Sequence, residues 1–277
     1  MKPDYRYALQ VAINSVGCDV QVNGVPVVRS YSGDRLDLTL PVSDFIVPGI
    51  NTLAIRALTD RSEGGKSATQ AVATLLYTPY DASEWQPLMT VRTIALPGGP
   101  GETTAEPLTS ALGPVSPQSS TYDSDILLLT AARSIRLAAA IPQWGWTRTA
   151  AVAKTDDVRA SLIDWYRNLH AALAARRVDV VNALLGEKVS ELALAHRVSP
   201  EEVAFEIGLE RALMDERLRL EPVDWDGLRI ELGADGHLVR LYHPRDGAVI
   251  VFLDDVRLYH TFDFWLRADP QGWVIVR

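Results

Sequence analysis

The chain has 277 residues, 47% of them hydrophobic and 22% charged, and its formal net charge is −8 at pH 7. This composition is typical of folded globular proteins, and the length favours about two domains. The negative charge argues against a general affinity for nucleic acids or anionic membranes, and no run approaches the roughly 18 apolar residues of a membrane-spanning helix.

The first part of the chain alternates short β-like runs with turn residues. Asn23 and Gly24 suit a two-residue hairpin because both tolerate positive φ, and Pro48 with Gly49 marks a further turn. The regular spacing of these signals predicts an antiparallel β-sandwich. Its strands are expected at 5–13, 18–28, 36–40, 51–57, 69–77 and 88–96.

Residues 97–123 are rich in Pro, Gly, Ser and Thr. Such a composition buries too little apolar surface to form a packed core, so we predict a mobile loop or linker there. The apolar run at 126–140 predicts two closing strands or a short helix, and an aromatic turn follows at 142–146. We assign these segments to the first domain, which is expected at 1–153.

From residue 155 the apolar residues recur at the spacing of a helix. They fall on one helical face between 158 and 173, and a second helix is expected to follow. Ser199 begins a third helix as its cap, with a proline in the first turn and Glu202 closing a capping box. This third helix is predicted to end near residue 217.

Beyond residue 226 the hydrophobic period returns to two, which is the period of a strand. Five strands are expected, at 227–232, 237–243, 248–253, 257–266 and 273–277. Three helices packed on a curved antiparallel meander predict a second domain of the α+β class at 154–277. The expected fold class is therefore two domains, an all-β sandwich followed by an α+β domain.

The pattern VNG…PV followed by L…PG.NTLAI.A, within residues 20–57, resembles the galactose-binding-like jelly roll. That fold occurs beside many glycosidase and secreted-enzyme domains. The resemblance therefore implies a β-sandwich without implying one function.

The alanine-rich helical segment at 169–185 and the final strand, which begins with Gly272 and Trp273, resemble a second family. This is the nuclear-transport-factor-like (SnoaL-like) superfamily of cone-shaped α+β domains. Its members usually insert a strand between the second and third helices, and residues 193–199 leave little room for one. A cystatin-like relative is therefore the alternative.

The resemblance to the cone-shaped superfamily implies one pair of candidate catalytic residues, Asp263 and Tyr259. Hydrolytic or isomerase members use a carboxylate together with Tyr or His as a general base. Strand alternation predicts that both residues share a face with Thr261 and Trp265. That face is either a polar pocket or the solvent face of the sheet, and we favour the solvent face.

Other catalytic and cofactor motifs are absent from the sequence. The five histidines show no spacing typical of a metal site, and there is no phosphate loop, dinucleotide-binding glycine pattern or nucleophile elbow. No metal and no cofactor is expected, and these absences favour a protein without enzymatic activity.

Cys18 is the single cysteine, which excludes an intrachain disulfide. The sequence is compatible with either the cytoplasm or the periplasm as the compartment.

Three tryptophans, Trp85, Trp144 and Trp146, are the candidate ligand-binding residues, because aromatic rings stack on sugars. Packing in the core or at a sandwich edge is the alternative explanation for each.

The sequence of residues 191–207 also resembles a helix-turn-helix motif. The helix expected at 199–217 carries six acidic residues and two arginines, so DNA binding is not expected.

These observations favour a non-enzymatic bacterial protein that binds one protein partner. Four lysines against 23 arginines indicate a GC-rich bacterial genome. Residues 154–277 contain 22 acidic and 16 basic residues, a surplus that attracts a basic surface. An immunity protein that neutralises a secreted toxin fits this description. The alternatives are a carbohydrate-binding accessory protein and an acid–base enzyme of the cone-shaped superfamily.

Overall fold

In the computed structural model the contacts divide the chain into two compact units, Met1–Gln143 and Trp144–Arg277. Trp144 and Trp146 pack within the second unit, whereas the sequence pattern favours the first domain for their turn. The described residues are 2–14, 17–30, 34–60, 69–95, 102–104, 116–121, 126–137, 140–244, 247–254, 256 and 259–277.

The described part of the first unit is built mainly from strands, with one short 3₁₀ helix at Ser43–Phe45. In chain order the strands are β1 (Tyr5–Asn14), β2 (Gly17–Val22), β3 (Val25–Ser30), β4 (Leu36–Pro41), β5 (Gly49–Asp60), β6 (Thr69–Pro79), β7 (Gln86–Ala95), β8 (Glu102–Thr104), β9 (Ser116–Thr121) and β10 (Ile126–Leu137). They form two five-stranded antiparallel sheets, ordered β4-β1-β6-β7-β8 and β3-β2-β5-β10-β9. Both sheets contribute to one buried apolar core. Every strand expected between residues 5 and 96 is present.

Two asparagines stabilise two of the turns in this unit. Asn23 and Gly24 adopt positive φ, 52° and 73°, in the hairpin between β2 and β3, as the sequence predicts. Asn51 is buried, and its side chain accepts from the Val47 N–H and donates to the Val47 carbonyl, both at 2.8 Å. Asn23 donates to the same Asn51 oxygen at 2.8 Å, so the hairpin and the turn before β5 fix each other.

The range 97–123, predicted as a mobile loop, is described only in part. Its described residues form β8, which pairs with β7, and β9, which pairs with β10. The rest of this range lies outside the described residues. The apolar run at 126–140 forms the single strand β10, which pairs with β5 along its whole length.

The reactivity of the Cys18 thiol is a measure of how tightly this unit is packed. Its thiol is buried in β2, and burial, with a smaller contribution from the Asp19 charge, raises its pKa from 9.0 to about 12. The thiolate is the reactive form, so we expect the native protein to resist a disulfide reagent at pH 8 and the unfolded protein to react. The neutral thiol is the form that the folded protein favours, so its contribution to the free energy of unfolding is fully present below pH 9. This contribution is lost as the pH rises towards 12. Rapid labelling of the native protein at pH 8 would contradict the packing.

In the second unit the described residues form four α-helices, α1 (Asp156–Ala174), α2 (Val178–His196), α3 (Pro200–Ile207) and α4 (Leu209–Met214). The capping box is confirmed, because Ser199 Oγ accepts from the Glu202 N–H at 3.1 Å and the Glu202 carboxylate accepts from the Ser199 N–H at 2.8 Å. The prediction of one helix as far as residue 217 is wrong. Gly208 adopts a left-handed φ of 72° and ends α3, a conformation that favours glycine.

The part of this unit that the structure describes also has seven strands, β11 (Arg219–Leu220), β12 (Arg229–Gly233), β13 (Leu238–Tyr242), β14 (Ile250–Leu253), β15 (Tyr259–Phe262), β16 (Leu266–Asp269) and β17 (Gly272–Ile275). They form two antiparallel sheets, β11-β14-β15 and β12-β13-β16-β17, rather than the single meander expected. The strand predicted at 257–266 is divided, because β15 ends at Phe262 in one sheet and β16 begins at Leu266 in the other.

Residues of both sheets pack with the helices around one apolar core. Tyr166 of α1 reaches across this core and donates its hydroxyl to the Phe264 carbonyl at 3.1 Å. Among the described residues, no helix is long and apolar enough to cross a membrane.

Candidate functional site

Helices α3 and α4 expose large apolar side chains. Phe205 on α3 is 67% exposed and Met214 on α4 is 69% exposed. The same helices bury other side chains, Val203 on α3 and Leu209 with Leu213 on α4. Phe205 and Met214 therefore lie on the outer surface of the helices and contribute little to the core.

Arg211 connects these two exposed side chains. Its guanidinium lies over the Phe205 ring, 4.8 Å from the ring centroid, in a cation–π contact. Met214 follows Arg211 by three residues on α4, so the two side chains are neighbours on the helix surface. Phe205, Arg211 and Met214 thus form one exposed surface, which we call the α3–α4 corner.

Carboxylates surround the α3–α4 corner. The exposed acidic residues of this segment are Glu201, Glu202, Glu206, Glu210 and Glu216. Asp215 also lies here, but it pairs with Arg217 at 2.7 Å, and the hydrogen bonds from Arg217 lower its pKa to about 2. The corner therefore combines an apolar centre with a rim that is negative at neutral pH.

A cleft of about 530 Å³ lies on one side of the sheet β11-β14-β15. Arg159 of α1 fixes one wall, because its guanidinium donates to the carbonyls of Asp226 at 3.0 Å and Leu228 at 3.2 Å. His170 supports the same wall through its Nε2 atom, 2.9 Å from the carbonyl oxygen of Glu221. The residues that line the cleft include Leu228, Val249 and Val251, which are apolar, and Glu221, Asp224, His243 and Thr261, which are polar.

Asp224 and His243 approach each other at Gly227. A Cβ atom on Gly227 would lie 2.7 Å from Asp224 Oδ2 and 3.2 Å from His243 Nε2, so glycine leaves room for both groups. The Gly227 N–H donates to Asp224 Oδ1 at 3.3 Å. A carboxylate beside an imidazole is able to bind a cation or to move a proton. The sequence gives little signal for this pair, because the two residues are distant in the chain and each lies beside a turn.

A second cavity, of about 340 Å³, lies between α4 and β15. Arg211 and Asp215 line it from the helical side, and His260 and Phe262 line it from the strand. Thr261 lines this cavity and also the larger cleft. The two cavities therefore meet at β15.

Asp263, a candidate catalytic residue from the sequence, does not line either of these cavities. Its carboxylate pairs with the buried Arg240, which also pairs with Glu231 at 2.7 Å. The side chain of the other candidate, Tyr259, lies outside the described residues. The predicted common face is not formed, because Trp265 is buried while Thr261 is exposed.

The three candidate tryptophans differ in their exposure. Trp144 and Trp146 are 1% and 3% exposed, so neither presents a ring face to a sugar in this structure. Arg277 lies over the Trp144 ring, 5.3 Å from its centroid. Trp85 is 40% exposed, and Arg6 lies 5.6 Å from its ring centroid. Of the three, Trp85 has the accessible ring.

Two ion pairs join α2 to the last strands of the second unit. Arg277 pairs with Glu191 at 2.6 Å, and both side chains are largely buried. The Gly145 N–H donates to the same Glu191 carboxylate at 2.5 Å. Arg267 of β16 pairs with Glu187 at 2.7 Å. These contacts hold α2, the C-terminal strands and the aromatic turn together.

Within the part of the chain that the structure describes, no group of three or more His, Cys, Asp or Glu side chains is placed to hold a metal ion. No protein-family model matches the sequence, and no curated protein matches it. The likenesses to the jelly roll and to the SnoaL-like superfamily therefore stay resemblances. Function is argued from the chemistry of the surface itself.

Proposed function

We propose that the chain is a non-enzymatic bacterial protein that binds one basic protein partner through the α3–α4 corner, and that this partner is a secreted toxin which it neutralises as an immunity protein. The exposure of Phe205 and Met214 inside a rim of carboxylates carries the proposal. Aromatic residues, Met and Arg are enriched at the centres of protein interfaces, where a few side chains supply most of the binding free energy.

The contiguity of the corner supports a binding role. Single exposed apolar side chains are common on soluble proteins. Here the Phe205 ring contacts Arg211, and Met214 lies beside Arg211 on the same helix, so the exposed side chains form a patch. An apolar patch with a polar rim is typical of a protein interaction site.

The charge of the rim favours a basic partner. Between Ser199 and Arg217 there are six acidic residues and two arginines, and Arg217 is already paired with Asp215. Opposite charge speeds association and disfavours acidic competitors. A toxin that acts on a polyanion carries a basic cleft for its substrate, and covering that cleft with an acidic surface inhibits it.

The experiment uses the full chain and the product of the neighbouring gene. We expect these two proteins to co-purify with nanomolar affinity, and we expect the affinity to fall with added salt, because surface charges are screened beyond about 8–10 Å. Expression of the chain is expected to protect cells that produce the neighbouring toxin. Failure of the two purified proteins to form a complex at low salt would contradict the proposal.

A carbohydrate-binding accessory protein is the second candidate, and the exposed ring of Trp85 favours it. Stacking on a sugar needs an accessible aromatic face. A glycan array separates this candidate from the first. Glycan binding that is lost in Trp85→Ala and retained in Phe205→Ala would favour the sugar.

An acid–base enzyme is the third candidate, and the approach of Asp224 to His243 in the 530 Å³ cleft favours it. The pair differs from Asp263 and Tyr259, which the family resemblance implies. Hydrolysis of a panel of activated esters checks this candidate. Turnover that is lost in both Asp224→Asn and His243→Gln would favour catalysis over protein binding.

A further inference from the structure

Among the described residues, no strand pairs with the outer edge of β15. Strand β15 lies at the end of the sheet β11-β14-β15, and its pairing with β14 joins Thr261 to Val251 and His260 to Phe252. Among the described residues, His260, Thr261 and Phe262 have no hydrogen bond other than those of this pairing. An end strand directs a row of backbone N–H and C=O groups away from its neighbour.

Cavities lie on both faces of this edge. Side chains alternate along a strand, so Thr261 and Val251 lie on one face, and both line the 530 Å³ cleft. His260 and Phe262 lie on the other face and line the 340 Å³ cavity beside α4, which Thr261 also borders because the two cavities meet at this strand. The alternate side chains of a strand added to β15 would therefore point towards the two cavities in turn.

The cleft suits a positively charged side chain. Glu221 and Asp224 line it together with His243, and no lysine or arginine is among the described residues of its lining. In the described residues, no basic side chain forms an ion pair with Glu221 or Asp224. A lysine or arginine that enters the cleft thus meets two carboxylates that have no cationic partner among the described residues.

The cavity beside α4 suits an apolar side chain. Ile207, Leu218 and Phe262 contribute apolar surface to it. The carboxylate of Asp215 at its border is already paired with Arg217. The side chains that alternate with the basic ones would therefore meet the hydrocarbon of these three residues, with Arg211 and His260 as polar neighbours.

We infer that β15 accepts an extended segment of the protein partner in which basic and apolar residues alternate, with the basic side chains in the cleft and the apolar ones in the cavity beside α4. This inference rests on the proposed protein-binding function and adds a second contact to it. In strand addition, main-chain hydrogen bonds supply affinity and alternate side chains supply specificity. Arg211 lines the cavity and also contacts Phe205, so the strand site is continuous with the α3–α4 corner.

The test adds a blocked peptide of alternating lysine and valine to the full chain and measures affinity and amide hydrogen exchange. We expect the amides of the β15 edge to exchange at least about tenfold more slowly in the complex, because strand addition protects them. A peptide with glutamate in place of lysine is expected to bind about tenfold more weakly. N-methylation of alternate peptide amides is expected to weaken binding to a similar degree, since it removes main-chain hydrogen bonds.

Two double variants with equal changes in charge make the test specific. The double variant Glu221→Gln with Asp224→Asn is expected to bind the lysine peptide about tenfold more weakly than the wild type. Asp81→Asn with Glu84→Gln, two exposed residues of the first unit, is expected to change the affinity of the lysine peptide by less than about twofold. Equal weakening by the two double variants, absence of binding, or binding without protection of β15 would overturn the inference.

The test of strand addition to β15 and the test of the proposed protein-binding function can succeed or fail independently. If the partner binds through Phe205 while the β15 amides exchange as in the free protein, strand addition is overturned and the protein-binding function stands. If the lysine peptide protects β15 but the neighbouring gene product forms no complex, the strand site stands and the immunity role is overturned.

Discussion

Replacing Glu191 by alanine is expected to lower the free energy of unfolding of the second unit by about 3–5 kcal/mol, the usual cost of removing one partner of a buried ion pair. The Arg277 guanidinium would keep its charge in a buried position without the carboxylate now 2.6 Å away. The Gly145 N–H would also lose its acceptor. Urea unfolding followed by tryptophan fluorescence reports on this unit, because six of the seven tryptophans lie in it.

An exposed ion pair is the matched control for this experiment. Arg167 and Asp164 lie 3.5 Å apart on α1, and both are mostly exposed. Asp164→Ala is expected to cost less than about 1 kcal/mol, because solvent screens such a pair. If Glu191→Ala is no more destabilising than Asp164→Ala, the packing of α2 against Arg277 is contradicted.

The first unit follows closely from local rules in its sequence. Alternation of apolar and polar residues predicts the strands between 5 and 96, and Asn23 with Gly24 predicts the first hairpin. Strands β8 and β9 escape prediction because their Pro-, Gly-, Ser- and Thr-rich surroundings are typical of loops. Their pairing with β7 and β10 is a long-range contact, which local composition does not encode.

The second unit departs from prediction where one residue or one contact overrides the local pattern. Gly208 has a helical sequence on both sides, yet its left-handed conformation divides the segment into α3 and α4. The predicted strand at 257–266 has suitable β-forming residues, but the chain passes from one sheet to the other between Phe262 and Leu266. Such choices depend on tertiary packing rather than on propensity.

The α3–α4 corner could have been found from the sequence. Val203 and Ile207 are separated by four residues and mark the inner face of α3. Phe205 lies between them and therefore points away from that face, which is an unusual position for a phenylalanine in a soluble helix. Trp144 illustrates the opposite case, because it is buried against Arg277, which is distant in the sequence.

Phe205→Ala is expected to weaken binding of the protein partner by roughly 30-fold or more, which corresponds to a hot-spot loss of about 2 kcal/mol. The substitution removes the exposed ring and its contact with Arg211. Folding stability is expected to change by less than about 0.5 kcal/mol, because the side chain is mostly exposed. Met214→Ala is expected to act in the same direction with a smaller effect.

The most direct measurement is titration calorimetry of the purified partner into wild-type protein, Phe205→Ala and Ile50→Ala. Ile50 is the matched control, since it is an apolar side chain 56% exposed on β5 in the other unit. The account predicts that Kd rises by roughly 30-fold for Phe205→Ala and stays within about twofold of wild type for Ile50→Ala. A Phe205→Ala protein that binds the partner as tightly as Ile50→Ala would contradict the assignment of binding to the α3–α4 corner.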